Sequence, residues 1–298
     1  MKAILLNLIP LGIGIAVASG LYFWSGWLGF LIIFVWIGGW ISVGQFVGAS
    51  KSGAAKDIGR RVSIFMASLV LLVFLGLFQR ENLQMEELVF YLAAGFISRV
   101  VIHYAIAKIF GPLIWGRGFC GWACWTAAWL ELLPIKENRR IPTKYTRLRV
   151  VVLIISLALP VIFILTGYNY RGEHVTGGEY SADGLVILSG KFDQFIWFLI
   201  GNGIYYLLGI PLAFIFRKKR AFCKILCPVA LVMKVPARFA VIRIKPSGEA
   251  CTECGECNAH CPMDVDVMGY IRASKTVTST ECILCGKCGN VCAANAIK

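Results

Sequence analysis

Charge is scarce in this chain of 298 residues. Only 15% are Asp, Glu, Lys or Arg, against a mean hydropathy of +0.73. That excludes an ordinary soluble domain, in which about a quarter of the residues are charged. Acidic side chains are the scarcer sign, 16 against 30 basic, for a net charge of +14. In a chain this apolar such an excess marks the cytoplasmic flanks of membrane spans, and no nucleic-acid partner is expected. Histidine occurs at His103, His174 and His260, with no bis-histidine pair to serve as the axial ligands of a membrane haem. There is no phosphate loop, no dinucleotide-binding glycine pattern, no nucleophile–base constellation and no twin-arginine signal. Nor is any cysteine spare. All 12 fall in motifs, which leaves no disulfide framework and implies a reducing compartment for the segments that carry them.

Eight of those cysteines form two copies of one run. Cys251, Cys254, Cys257 and Cys261-Pro262 have the spacing C-x2-C-x2-C-x3-C, and Cys282, Cys285, Cys288 and Cys292 repeat it. Three thiolates of such a run sit on a tight loop around one iron–sulfur cube and the fourth reaches the other cube. Gly255 and Gly286 fall in those loops, where a residue without Cβ lets the backbone wrap closely. Paired zinc ribbons are the rival account, but they use C-x2-C pairs set well apart. The crossed pattern assigns Cys251, Cys254, Cys257 and Cys292 to one 4Fe–4S cluster and Cys282, Cys285, Cys288 and Cys261 to a second.

The hydrophobic runs predict about six transmembrane helices at roughly 20 residues each. The apolar stretch from Ala3 to about Val47 holds two, divided at Trp24-Ser25-Gly26-Trp27. A cleaved signal peptide is the alternative for the first, but it lacks an arginine-rich start and a clear cleavage site. Further spans are expected at about Val62–Phe78, Leu88–Phe110 (ending at Gly111-Pro112), Val150–Thr166 and Gln194–Phe216. An acidic loop with Glu81, Glu86 and Glu87 follows the third. Arg80, Arg171 and Lys191 lie on the loops after spans three and five, and nearly all other Lys and Arg lie on the opposite side. The chain is thus expected to be a multi-pass protein of the cell's inner (cytoplasmic) membrane, with both termini cytoplasmic. The fold class is an all-α polytopic membrane domain plus a small α+β two-cluster ferredoxin domain. The boundaries are 1–216 for the membrane domain, 217–246 for a juxtamembrane connector and 247–298 for the ferredoxin domain. Phe239–Lys245 alternates in character and is expected as the first ferredoxin strand.

Two shorter motifs share the spacing C-x3-C, Cys120 with Cys124 and Cys223 with Cys227-Pro228. Each follows a span on the cytoplasmic side, and cysteines at i and i+4 share one face of a helical turn. Together they offer four thiols, a ligand set for a third iron–sulfur or metal site. Redox-active thiols and buried structural cysteines remain alternatives. A disulfide within one motif is disfavoured by geometry.

Within the fourth span, Arg99 and His103 stand four apart on one helix face and could form a quinone site, or could pair with backbone or snorkel. The outer loop with Glu173, His174, Glu179 and Asp183 reads as a solvated connector, with partner docking as the alternative. His260 is expected to pack beside the Cys261 cluster rather than ligate it. Trp115, Trp122, Trp125 and Trp129 fit interfacial enrichment, and Arg217 to Arg220 fit a topology anchor.

With these residues in view, Trp115 to Lys298 resembles the NapH/MauN group of membrane-bound ferredoxin-type proteins, and more distantly NosR. The resemblance rests on Gly116-Arg117-x-Phe119-Cys120-x-Trp122-x-Cys124, the basic stretch with Ile141-Pro142, Cys223-x3-Cys227-Pro228 and the double ferredoxin run. This chain departs from the group in having Trp125 after Cys124, where proline is usual, and in two extra N-terminal spans. The resemblance implies a membrane component of a quinol dehydrogenase, a quinone-linked oxidoreductase of a respiratory chain. Its expected partners are the quinone pool and other subunits of the complex: an iron–sulfur protein, a periplasmic reductase or a cytochrome. An assembly factor delivering electrons to another protein's metal centre is the second function class, and a purely structural anchor the third.

Overall fold

The computed structural model describes residues 2–93, 99–135, 140–167 and 192–298. Helix α1 (Lys2–Ser25) and α2 (Gly29–Ala49) form an antiparallel pair that breaks at Gly26-Trp27-Leu28, where the aromatic turn was expected. Helix α3 (Asp57–Leu69) continues into a π-helical stretch, Val70–Phe78. Lipid tails are as apolar as leucine, so membrane helices associate through close packing and polar contacts rather than hydrophobic burial. The α2–α3 pair shows this. A Cβ on Gly44 or on Gly59 would collide with the other's carbonyl oxygen, and Ser63 Oγ donates to Trp40 O at 2.7 Å.

Next come α4 (Met85–Ala93), α5 (Arg99–Tyr104), a second π-helical stretch Ala105–Phe110, α6 (Gly111–Trp115), α7 (Gly118–Trp122) and α8 (Trp125–Glu131). The span expected over Leu88–Phe110 is therefore represented by shorter helical pieces, with residues 94–98 outside those described. Pro112 does not end a helix here. The backbone stays helical through it, from Arg99 to Trp115. Helices α9 (Thr143–Thr146), α10 (Leu148–Leu165) and α11 (Phe192–Ile215) complete the membrane domain. Five helices among the described residues are long and apolar enough to cross a membrane: Leu5–Ser25, Gly29–Ala49, Gly53–Phe78, Thr143–Leu165 and Gln194–Ile215. Their outward faces are apolar, as on α10, where Ile154, Ile155 and Ile162 are exposed. That is the surface of a membrane protein.

The acidic loop after the third span is not solvated. Gln79, Glu81, Asn82, Gln84 and Glu87 are buried. The residues Glu173, His174, Glu179 and Asp183 lie outside the described residues.

Helices α12 (Ala221–Ile225) and α13 (Pro228–Ala237) lead to the C-terminal domain, which contains α14 (Glu256–Ala259), α15 (Val267–Arg272) and α16 (Lys287–Asn290). The strand expected over Phe239–Lys245 does not form. Val241 and Ile242 donate their N–H groups to the Leu113 and Ile114 carbonyls of α6, so the middle of the segment is tied to the membrane domain. Sheet-like pairing here includes reciprocal bonds between Lys245 and Lys298, both 2.8 Å, an antiparallel bridge between Pro246 and Ile297, and a bond from Ser247 N to Ala296 O at 3.1 Å.

Candidate iron–sulfur sites

The two halves of the C-terminal domain repeat one another in backbone as well as in sequence. Gly255 and Gly286 have φ of 78° and 73° and open the short helices α14 and α16 that carry Cys257 and Cys288. This left-handed geometry is one that glycine adopts without strain. Glu253 and Leu284 share positive φ at equivalent positions, as do Asp264 and Asn295. The last cysteine of each run accepts an N–H bond from four residues on, Val265 N to Cys261 Sγ and Ala296 N to Cys292 Sγ, both 3.3 Å.

Cys251, Cys254, Cys257 and Cys292 line one cavity with Met268, Ile271 and Ile297. The other four cysteines form a second group. Burial pushes the Cys282 thiol up to about 11, against a backbone hydrogen bond at Leu284, and Cys285 and Cys261 add to the rise. Cys288 is raised by burial and by Cys285, Cys282 and Cys261. Apolar walls, N–H donors aimed at sulfur and four thiols per group match what a polynuclear cluster requires. Among the described residues no three His, Cys, Asp or Glu side chains converge closely enough for a single ion.

At the membrane edge the structure brings the two C-x3-C motifs into one neighbourhood. Each is built in the same way. Arg117 and Arg220, both buried, precede a five-residue helix with the phenylalanine and first cysteine inside it. The second cysteine, Cys124 or Cys227, then takes an extended conformation and caps the following helix, α8 or α13. Phe119 O accepts from Ala123 N and Cys124 N at 2.9 and 3.0 Å, and Phe222 O accepts from Leu226 N and Cys227 N at the same two distances. Proline after the second cysteine is thus dispensable, since Trp125 opens α8 as Pro228 opens α13. Burial raises the Cys227 thiol, and Cys223, Cys120 and Cys124 raise it further. Burial likewise raises Cys124, with Cys120 and Cys223 among its neighbours. Bare thiols so placed stay protonated, whereas metal binding draws them out as thiolates. Cys120 Sγ also lies 3.6 Å from Met233 Sδ on α13.

Carboxylates lock the ferredoxin domain against this edge. Glu281, immediately before Cys282, accepts from Arg117 at 2.6 Å, from Lys234 at 3.0 Å and from Arg149 at 3.1 Å. Burial works to raise its carboxyl, but Arg117, then Arg149 and Lys234, hold it down at about 2. Asp264, three residues after Cys261, is paired with Lys218 and Lys224 and accepts from Ile141 N at 3.1 Å. Both clamps flank ligand positions of the same expected cluster. Between them Trp122 Nε1 donates to Leu284 O at 2.9 Å, and a Cβ on Gly121 would collide with Ile283 O. The Cys282–Cys285 loop therefore lies directly on the first C-x3-C motif. Cys254, in the other half, is exposed.

Beneath the motif Glu131 binds two guanidiniums, those of Arg60 and Arg220. Arg60 also donates to Gly121 O at 2.9 Å and Arg220 to Cys120 O at 2.6 Å. Burial would raise the Glu131 carboxyl, but Arg220 and Arg60 hold it far below the usual carboxylate range. Within Arg217 to Arg220, the topology anchor of the sequence reading, Arg220 and Lys218 are buried in these pairs.

Arg99 and His103 meet different side chains. The Arg99 guanidinium pairs with Glu81 and lies 3.9 Å from the Trp27 ring centroid. The His103 ring instead packs against Phe119 and Trp125, at 5.5 and 5.9 Å, and its Nε2 has no hydrogen-bond partner among the described residues. His260 is half-exposed, with Nδ1 3.3 Å from Glu256 Oε2. Trp122 and Trp125 do more than sit at an interface, since Trp125 Nε1 donates to Asn202 Oδ1 at 3.1 Å. Sequence reasoning missed Arg60, Lys108, Glu131 and the pairing role of Glu281 and Asp264. The repeated Arg-x-Phe-Cys at Arg117 and Arg220 was the available signal for the doubled motif.

A family model described as a 4Fe-4S dicluster domain matches residues 243–293, and another described as a 4Fe-4S binding domain matches 102–141 and 199–247, which hold both C-x3-C pairs. Among curated proteins, an uncharacterized protein of Methanocaldococcus jannaschii is 25% identical over 225 residues, 70% of this chain and 78% of the relative. The ferredoxin-type protein NapH of Haemophilus influenzae is 28% identical over 214 residues, 66% of this chain and 67% of its own length. The methylamine utilization ferredoxin-type protein MauN of Paracoccus denitrificans is 28% identical over 184 residues, 58% of this chain and 59% of its own length. No solved structure matches the chain.

Proposed function

A membrane-associated 4Fe–4S electron-transport protein related to NapH and MauN, this chain is, we propose, the membrane subunit of a quinol dehydrogenase. It exchanges electrons between the quinone pool and three iron–sulfur sites. Cys251, Cys254, Cys257 and Cys292 hold the first cluster, and Cys282, Cys285, Cys288 and Cys261 the second. Cys120, Cys124, Cys223 and Cys227 hold the third. When bound, such clusters take up and release electrons one at a time.

The observation that carries this reading is the seating of the Cys282–Cys285 loop on Gly121 and Trp122, clamped by Glu281 and Asp264. A freely tethered electron carrier needs no such joint. The order of sites follows from it. The membrane thiols face the Cys261/Cys282 group, and the other group, with Cys254 exposed, faces a partner subunit. The quinone headgroup falls to His103, since Arg99 is engaged by Glu81 and Trp27. The distribution of basic residues supports a cytoplasmic ferredoxin domain in the inner membrane.

Iron and acid-labile sulfide per purified chain test the three-site reading. Three cubes hold about twelve irons, and replacing Cys120, Cys124, Cys223 and Cys227 by serine leaves about eight. An unchanged count of about eight in both proteins overturns the third site. Reduction of the clusters by a quinol analogue, slowed in His103→Ala, tests the quinone reading. Clusters inert to quinol, together with unloaded metal in a partner enzyme when this chain is deleted, would move the assignment to maturation.

A further inference from the structure

Lys108 lies in the π-helical stretch Ala105–Phe110, between Ala107 and Ile109, and is only 4% exposed. A buried ammonium is costly unless a negative group faces it. The other buried cations near the thiols each have one. Arg60 and Arg220 share Glu131, Arg117 and Arg149 share Glu281, and Lys218 and Lys224 share Asp264. Among the described residues Lys108 has neither a carboxylate nor a hydrogen-bond acceptor.

What it has instead is position. Its Nζ lies 3.3 Å from the Phe119 ring centroid and 5.7 Å from that of Trp125. Phe119 directly precedes Cys120, and Trp125 directly follows Cys124. A ring face attracts a cation without neutralising it. Metal binding at Cys120 and Cys124 would therefore place thiolate charge at the positions next to the two rings that Lys108 faces.

We propose that Lys108 is the counter-cation of the membrane-edge cysteine site, placed to raise the reduction potential of the cluster held there. The inference rests on the three-site reading. Four thiolates leave a 4Fe–4S cluster with net negative charge, and reduction adds one more. A fixed positive charge in a dry environment stabilises the more negative form by the larger amount. Lys108 thus makes this site a better electron acceptor from the membrane side. It touches no reacting atom and acts through the field it sets.

The test is a redox titration of the full chain in lipid nanodiscs, followed by electron paramagnetic resonance, for wild type, Lys108→Met, Lys108→Gln and Lys108→Arg. In both neutral variants the reduction equilibrium of the membrane site is expected to become at least tenfold less favourable. For a one-electron couple that is about 59 mV lower. Lys108→Arg is expected to stay near wild type, and the two ferredoxin-domain signals to remain in place throughout. A membrane-site potential unchanged in the neutral variants overturns the inference, as does a fall shared by all three signals. Should the neutral variants lose only the membrane site's iron while Lys108→Arg keeps it, the charge is needed to hold the cluster, which supports the role. Loss in all three variants overturns it. Absence of a third signal and of its iron in wild type refutes instead the reading on which the inference rests.

Discussion

Glu131 is the residue on which the membrane edge depends most. It is 4% exposed and binds both Arg60 and Arg220, and those two in turn donate to the carbonyls of Gly121 and Cys120. Removing one member of a buried ion pair leaves an uncompensated charge, which costs about 3–5 kcal/mol. Glu131→Gln keeps the shape and removes the charge. It is expected to destabilise the chain by about that amount, read as a lower melting temperature in detergent. A melting temperature equal to that of wild type would mean that the two guanidiniums are solvated and the network is not buried.

At the scale of elements, α7 does two jobs in five residues. Its interior presents Cys120, and its outer turn, Gly121 and Trp122, receives the Ile283–Leu284 backbone of the ferredoxin loop. Only a residue without Cβ permits that approach, because the atom in the way is a backbone oxygen and not the end of a flexible side chain. Gly121→Val must push the loop away. The expected outcome is slower electron transfer between the membrane site and the ferredoxin domain, with iron content preserved, measured by rapid-freeze paramagnetic resonance after a reductant pulse. Unchanged transfer would show that the joint is not on the route.

The whole molecule is a membrane bundle with a ferredoxin domain fixed to one edge in a single orientation. That orientation decides which cluster faces the membrane and which faces solvent, and with it the direction in which a partner subunit must approach. If the basic flanks set the topology, a fluorescent reporter fused after Lys298 will be bright in the cytoplasm, and alkaline phosphatase fused at the same place will be inactive. The reverse pattern would place the ferredoxin domain on the other side and remove the proposed partners with it.

Much of this was legible in sequence, and the limit has a physical cause. The eight ferredoxin cysteines, the apolar runs and the break near Gly26-Trp27 are local features. Cluster loops need thiols at close spacing, and a span needs an unbroken apolar run, so periodicity and spacing reveal both. The sequence by itself thus determined the class of cofactor, the membrane setting and the candidate thiols. Other features depended on contacts between residues far apart in the chain. Glu81 read only as part of an acidic loop because an acidic residue looks the same in sequence whether water or Arg99 faces it. Phe239–Lys245 read as a strand because alternation cannot show that the N–H groups of Val241 and Ile242 will be taken by α6. Only the tertiary structure decided that Arg99 and His103 meet different side chains, that the two C-x3-C motifs meet, and that Lys108 lies over Phe119 without a carboxylate of its own. It decided, too, that the domain known from its cysteine run alone is seated by Glu281 and Asp264 with its Cys282 loop on the membrane thiols. Those outcomes rest on buried charge finding buried counter-charge, which depends on the three-dimensional path of the chain and not on spacing along it.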